Sequence, residues 1–185
     1  MTRSPLLALL CVWIVLCSAI PTGAGAPRNA QVKPGVGLSS GLPIPRFVSL
    51  KSGRVHFRRG PSFKHPVDWI FLRKGWPVEV IGEFGPWRQV RAIDETTGWV
   101  HQQLLAGERT ALVAPQDEKR ALRPLYLTPR TQKPIALIEP GTLLKLDTCT
   151  KGWCEIRTQG KAKKMEGFMR ADDLWGVYAS EKAKP

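Results

Sequence analysis

The sequence predicts an all-β protein of two tandem small domains, and three observations carry that prediction. Short runs alternate apolar and polar residues and stop at Gly or Pro, as in Val55-His56-Phe57-Arg58-Arg59-Gly60-Pro61 and Val78-Glu79-Val80-Ile81. No long apolar stripe of period 3.6 occurs anywhere in the chain. The third observation is an internal repeat. Trp87 placed on Trp153, an offset of 66, also places Val78 on Leu144, Val80 on Leu146 and Val90 on Ile156. Gly98-Trp99-Val100 falls on Gly167-Phe168-Met169 at an offset of 69, and Pro61 and Pro66 fall on Pro129 and Pro134 at 68. Small drifting offsets are what loop insertions between paired strands produce.

In the first repeat, Val55 and Phe57 are the inward residues of a strand that ends at the Gly60-Pro61 turn. Val78 to Ile81 and Trp87 to Val90 read as strands joined through Gly85-Pro86. Gly98-Trp99-Val100 closes the set, starting at a glycine and placing Trp99 in the core. The succession Val55-x-x-Arg58-x-Gly60-Pro61-Ser62, Gly75-x-x-Val78-x-Val80, Trp87-x-x-Val90 and Gly98-Trp99-Val100 resembles the bacterial SH3-like (SH3b) domain. The resemblance implies two tandem small SH3-like β-barrels that act by binding. The second copy departs from the pattern at its opening, where Leu125-Tyr126-Leu127-Thr128-Pro129 lacks the arginine and glycine. The departure bears on any site built from those residues, not on the fold.

The rest of the chain divides around these units. Residues 1–26 read as a secretory signal peptide: Arg3 supplies the positive end, Leu6 to Ile20 carries no charge, and Ala24-Gly25-Ala26 offers small residues for cleavage. The apolar run is shorter than the ~20 residues a bilayer needs, so no membrane span is expected after its removal. Residues 27–42 read as a flexible leader and 43–106 as SH3-like domain 1. Residues 107–121 read as a linker, with Ala111-Leu112-Val113 as a last strand against domain 1. Residues 122–179 are SH3-like domain 2, and 180–185 form a frayed tail.

Two of the four cysteines, Cys11 and Cys17, lie in the signal segment. The others, Cys149 and Cys154, flank Thr150-Lys151-Gly152-Trp153, read as a four-residue turn between the strands 143–148 and 155–157. A hairpin of that kind brings the two close enough to bridge, and an oxidising compartment favours a disulfide. The alternatives are a catalytic thiol or a redox pair, although redox pairs usually have two intervening residues at a helix start.

Charge is the second strong feature. The chain carries 28 Lys and Arg against 15 Asp and Glu, a net +13. Residues 43–106 hold 10 basic and 5 acidic residues and 122–178 hold 10 and 6, so the excess is spread over both repeats. Such a balance favours anionic surfaces and polyanions, here peptidoglycan carboxylates, lipid headgroups or lipopolysaccharide phosphates. It also serves plain solubility. No nucleic-acid partner is expected of an exported chain.

No catalytic constellation or cofactor motif is evident. His56, His65 and His101 are scattered without metal-ligand spacing, and no Gly-rich phosphate loop opens a helix. Asp94-Glu95 and Asp172-Asp173 sit in polar, turn-like contexts. A cysteine–histidine hydrolase would require a further domain, for which no room is expected. A small cell-wall hydrolase therefore stands behind two binding readings: peptidoglycan or its stem peptides, and a protein of the cell envelope in an exported, periplasmic setting.

The candidate ligand residues are Arg58, Arg59, Trp69, Arg73, Trp76, Trp87 and Trp153. Trp87 and Trp153 occupy equivalent hairpin-tip positions, where an indole either offers a flat apolar face to a sugar or peptide or covers the end of the barrel. One of the successive residues Arg58 and Arg59 must face outward, toward a ligand carboxylate or phosphate or toward an acid such as Glu83 or Asp94. Trp69 and Trp76 flank Arg73-Lys74 as a mixed aromatic and cationic surface.

Overall fold

The computed structural model describes residues 34–114, 121–159 and 164–179. The expected signal peptide, the start of the leader and the tail lie outside the described residues. The strands are β1 (Gly35–Val36), β2 (Pro43–Ile44), β3 (Arg46–Leu50), β4 (Val55–Arg58), β5 (Val67–Phe71), β6 (Pro77–Phe84), β7 (Trp87–Arg91) and β8 (Thr97–His101). They continue as β9 (Leu105–Ala106), β10 (Thr110–Val113), β11 (Arg123–Leu125), β12 (Ala136–Ile138), β13 (Leu143–Thr150), β14 (Trp153–Thr158), β15 (Glu166–Arg170) and β16 (Leu174–Trp175). The helical segments among the described residues are single 3-10 turns at Gln102–Leu104 and Ala171–Asp173. The protein is all-β.

Two larger sheets organise the chain. The first runs β5-β4-β8-β7-β6-β3-β9 and the second β15-β14-β13-β10-β16, with β11 and β12 pairing beside the second. Barrel 1 closes over Leu50, Val55, Phe57, Val78, Val80 and Val90, and barrel 2 over Leu125, Leu144, Leu146, Ile156 and Met169, among others. These are the inward residues of the alternating runs, and each large side chain so buried contributes roughly 1.5–3 kcal/mol. The repeat is visible in the pairing as well. Val78 faces Val48 as Leu144 faces Ala111, and the 3-10 turn after β8 recurs after β15. Each central hairpin also carries one bulge, between Val80 and Gly82 and between Leu146 and Cys149.

Four expectations are corrected. Ala111-Leu112-Val113 is a strand, but it pairs with β13 and β16, so it belongs to the second sheet. Trp99 is not a core residue. Gly98 and Val100 take the inward positions of β8 and Phe57 packs over Gly98, which turns Trp99 to the outer face. The turn between the cysteines has two residues, not four. Lys151 (φ 51°) and Gly152 (φ 75°) both adopt the left-handed region that a tight two-residue hairpin turn requires, so the strands reach Thr150 and Trp153. Cys149 and Cys154 then face one another directly, bridged, with Cα atoms 4.1 Å apart.

The fourth correction concerns the leader. Residues 34–42 do not trail away: β1 pairs with β2, and the turn between them is pinned to barrel 1 by Glu83. The Glu83 carboxylate accepts from the Ser39 and Ser40 amides at 3.1 and 2.9 Å, the Ser40 hydroxyl at 2.7 Å and Arg46 at 2.8 Å. Arg88 lies 3.3 Å away. Burial pushes the Glu83 carboxyl up, but the Ser40 and Arg46 hydrogen bonds and the Arg88 charge outweigh it and hold the pKa at about 2.

Candidate ligand-binding site

Alternation along β13, β14 and β15 sends Cys149, Cys154, Ile156 and Met169 inward and leaves Thr148, Thr150, Trp153, Phe168 and Arg170 less buried on the outer face. There they form a shallow cavity of about 280 Å³, lined by Pro129, Thr148, Thr150, Lys151, Trp153 and Phe168. Trp153 is partly buried. Its ring meets Tyr126 edge-on at 5.5 Å between centroids, and the Arg170 guanidinium stands 5.2 Å from its centre. Lys151 is exposed at the turn, and Arg170 is 4.0 Å from Asp172. Thr148 donates to Glu155 at 3.4 Å along the same face. The bridge between Cys149 and Cys154 joins the two strands that supply Thr148, Thr150 and Trp153 to this lining. Aromatic faces, hydroxyls and the Lys151 cation in one cleft, with Arg170 over the Trp153 ring, suit a ligand with a flat apolar part and a carboxylate.

The equivalent place in barrel 1 is filled. Trp87 is only 6% exposed, so of the two alternatives the sequence left open it does not present an open face. Phe63, from the loop between β4 and β5, lies against it at 4.9 Å, and His101 closes a three-ring cluster at 5.4 Å from Trp87 and 5.6 Å from Phe63. His101 is opposite Trp87 in the sheet just as Arg170 is opposite Trp153. Arg58 faces outward as expected, but neither Glu83 nor Asp94 is its partner. Its Nη1 donates to the Phe63 and His65 carbonyls at 3.2 and 2.8 Å, and its guanidinium stands 5.7 Å from the Phe63 ring centre. Arg88, buried and donating to Gly85 O and to Gln102, holds the turn that precedes Trp87.

The remaining sequence-predicted residues are dispersed. Arg59 pairs with Asp68 at 2.8 Å and stays largely exposed. Trp69 is 58% exposed on β5, the outermost strand of its sheet, opposite Phe57. Arg73 covers Trp76 at 5.5 Å and reaches the Gly141 carbonyl at 3.4 Å. Thus Arg73 and Trp76 do meet, while Trp69 lies on the β4–β5 hairpin. Sequence reasoning missed Phe63, Tyr126, Phe168 and Arg170. Phe63 and Tyr126 carried a signal, being an aromatic in the Gly60-to-Pro66 turn and an aromatic in place of Arg58. Arg170 carried only its offset of 69 from His101. Among the described residues no group of three or more His, Cys, Asp or Glu is placed to hold a metal ion.

Comparison with known protein families agrees with this architecture. A family model described as "Bacterial SH3 domain" matches residues 51–107 and 119–176. No curated protein matches. Among solved structures, NlpC2 from Trichomonas vaginalis aligns at 15% identity and a TM-score of 0.31, over 71% of this chain and 48% of that one. NlpC1 from the same organism aligns at 16% identity and 0.30, over 75% and 48%. The chain therefore spans about half the length of either.

Proposed function

The chain belongs to the bacterial SH3 domain family, in two tandem copies, and from that premise we propose that it is an exported, non-catalytic protein that binds peptidoglycan or its stem peptides. The observation that carries this reading is the open cleft of barrel 2, where Trp153, Phe168 and Pro129 offer apolar surface beside Lys151 and Arg170. A sugar or peptide backbone lies on the aromatic faces, and a lactyl or stem-peptide carboxylate meets the cations. The net positive charge of both repeats speeds encounter with an anionic wall. The disulfide supports an oxidising, exported setting, with the periplasm as the specific proposal.

The test is sedimentation of the oxidised protein with purified peptidoglycan across a salt series. The expected result is pelleting that weakens as salt rises and is abolished by Trp153→Ala in a protein that remains folded. No pelleting at low salt would reject the reading. A second reading, docking of an envelope protein, has its own observation. β5 is an outermost strand with Val67, Trp69 and Ile70 exposed and Leu72 exposed just beyond it, a surface suited to strand pairing. Capture of a protein partner that survives high salt and is lost in Trp69→Lys would favour it.

A further inference from the structure

We infer that Phe63 is an in-chain occupant of the outer-face site of barrel 1, and that the open counterpart in barrel 2 takes a flat apolar group carrying a carboxylate. The inference deepens the reading of the Trp153 cleft as a ligand site and rests on it. The two sites are built on one plan. Phe57 packs over Gly98 as Leu125 packs over Gly167, and Arg58 pairs with Trp99 as Tyr126 pairs with Phe168. All four correspondences keep the loop offset near 68, which sets Phe63 on Thr131. Phe63 lies on Trp87 and His101 in barrel 1, whereas Thr131 bonds to Thr128 at 2.8 Å within its own loop. The difference is visible in burial: Trp87 is buried and Trp153 only partly so.

Phe63 therefore displays the kind of group this face accepts. It also brings no charge, and barrel 1 has His101 where barrel 2 has Arg170, while Lys151 lines the open cleft from its turn. Lys151 in the lining of the aromatic cleft, with Arg170 over the Trp153 ring and 4.0 Å from Asp172, selects an anion next to the ring. Because Phe63 is 69% exposed, it makes little of the core, and its replacement leaves the fold intact.

The experiment follows the tryptophan indole N–H signals by NMR as N-acetyl-L-phenylalanine, or its uncharged amide, is added to the full chain. The expected result is a response at Trp153 and none at Trp87, with the carboxylate binding about five-fold tighter than the amide, the factor one good surface ion pair supplies. Lys151→Gln with Arg170→Gln removes that preference. Phe63→Thr adds a Trp87 response, and Thr131→Phe suppresses the one at Trp153. Amide dispersion in the same spectra verifies folding. A folded Phe63→Thr variant with a silent Trp87, a Thr131→Phe variant that binds as before, or equal affinity for acid and amide would overturn the inference. Failure of peptidoglycan to pelletise the protein while Trp153 still answers the probe would reject the wall ligand and uphold the site.

Discussion

The Tyr178 hydroxyl donates a 2.7 Å hydrogen bond to Oε1 of Glu79, tying the end of barrel 2 to β6 of barrel 1. The same carboxylate, nearly fully buried, accepts from Arg91 Nε at 2.9 Å. Around this contact Phe47 packs against Trp175 and Tyr178, with ring centroids 5.2 and 4.8 Å apart, and Thr110 donates to the Gly75 carbonyl at 2.6 Å. The barrels thus share one interface that combines apolar rings with a satisfied buried acid.

The two barrels should consequently unfold in one transition. Tyr178→Phe removes one hydrogen bond to a charged group and is expected to cost about 1.5–3 kcal/mol. Glu79→Ala removes the acceptor of both Tyr178 and Arg91, leaving Arg91 with Glu95 at 3.2 Å, and should cost more than Tyr178→Phe. Denaturant titration followed by tryptophan fluorescence and by circular dichroism measures both. Two separate transitions in the wild type would contradict the shared interface.

Glu83 makes stability depend on pH at the acid end. Its folded pKa of about 2 lies below the ordinary 4.5, so its contribution is fully present above pH 4.5 and is lost as pH falls toward 2. A shift of that size corresponds to roughly 3 kcal/mol. Glu83→Gln should flatten the stability profile between those two values and release the β1–β2 turn from barrel 1. Unfolding free energy measured from pH 6 to pH 2 for both proteins checks the sign and the window.

Removing the bridge with Cys149→Ser and Cys154→Ser should cost about 2 kcal/mol, the modest value expected for so short a closed loop. The effect on the cleft should exceed the effect on the fold, because the bridged strands carry Thr148, Thr150 and Trp153. Peptidoglycan pelleting with and without reductant, at a temperature where the protein stays folded, separates the two.

Gly98→Ala places a Cβ 2.7 Å from that of Phe57, and Gly167→Ala places one 2.5 Å from the Tyr126 carbonyl oxygen. Neither neighbour is the loose end of a side chain. Each substitution should destabilise by about 1–3 kcal/mol through overpacking, with Gly167→Ala the worse because backbone must yield. Thermal melts of the two variants test the order.

These cases mark where the sequence was legible. Val55, Phe57, Val78, Val80 and Val90 announced their inward positions by alternation, and all five are fully buried. The cysteine pair was readable because a hairpin turn is local. Trp99 was misplaced because Gly98, Trp99 and Val100 are all compatible with the core, and only Phe57, forty residues earlier, decides that the glycine faces in. Ala111-Leu112-Val113 showed itself as a strand, yet nothing local states which sheet it joins.

The sequence by itself determined the all-β class, the repeat, the bacterial SH3 resemblance and the basic surface. Each rests on periodicity, turn chemistry or composition within a few residues, or on the matching of one such stretch with another. Only the tertiary structure decided that the leader docks on Glu83, that Trp87 lies under Phe63 and that Trp153 lines an open cleft. Those outcomes depend on where loops and sheet edges meet in space, and contacts between residues far apart in the chain leave no period along it.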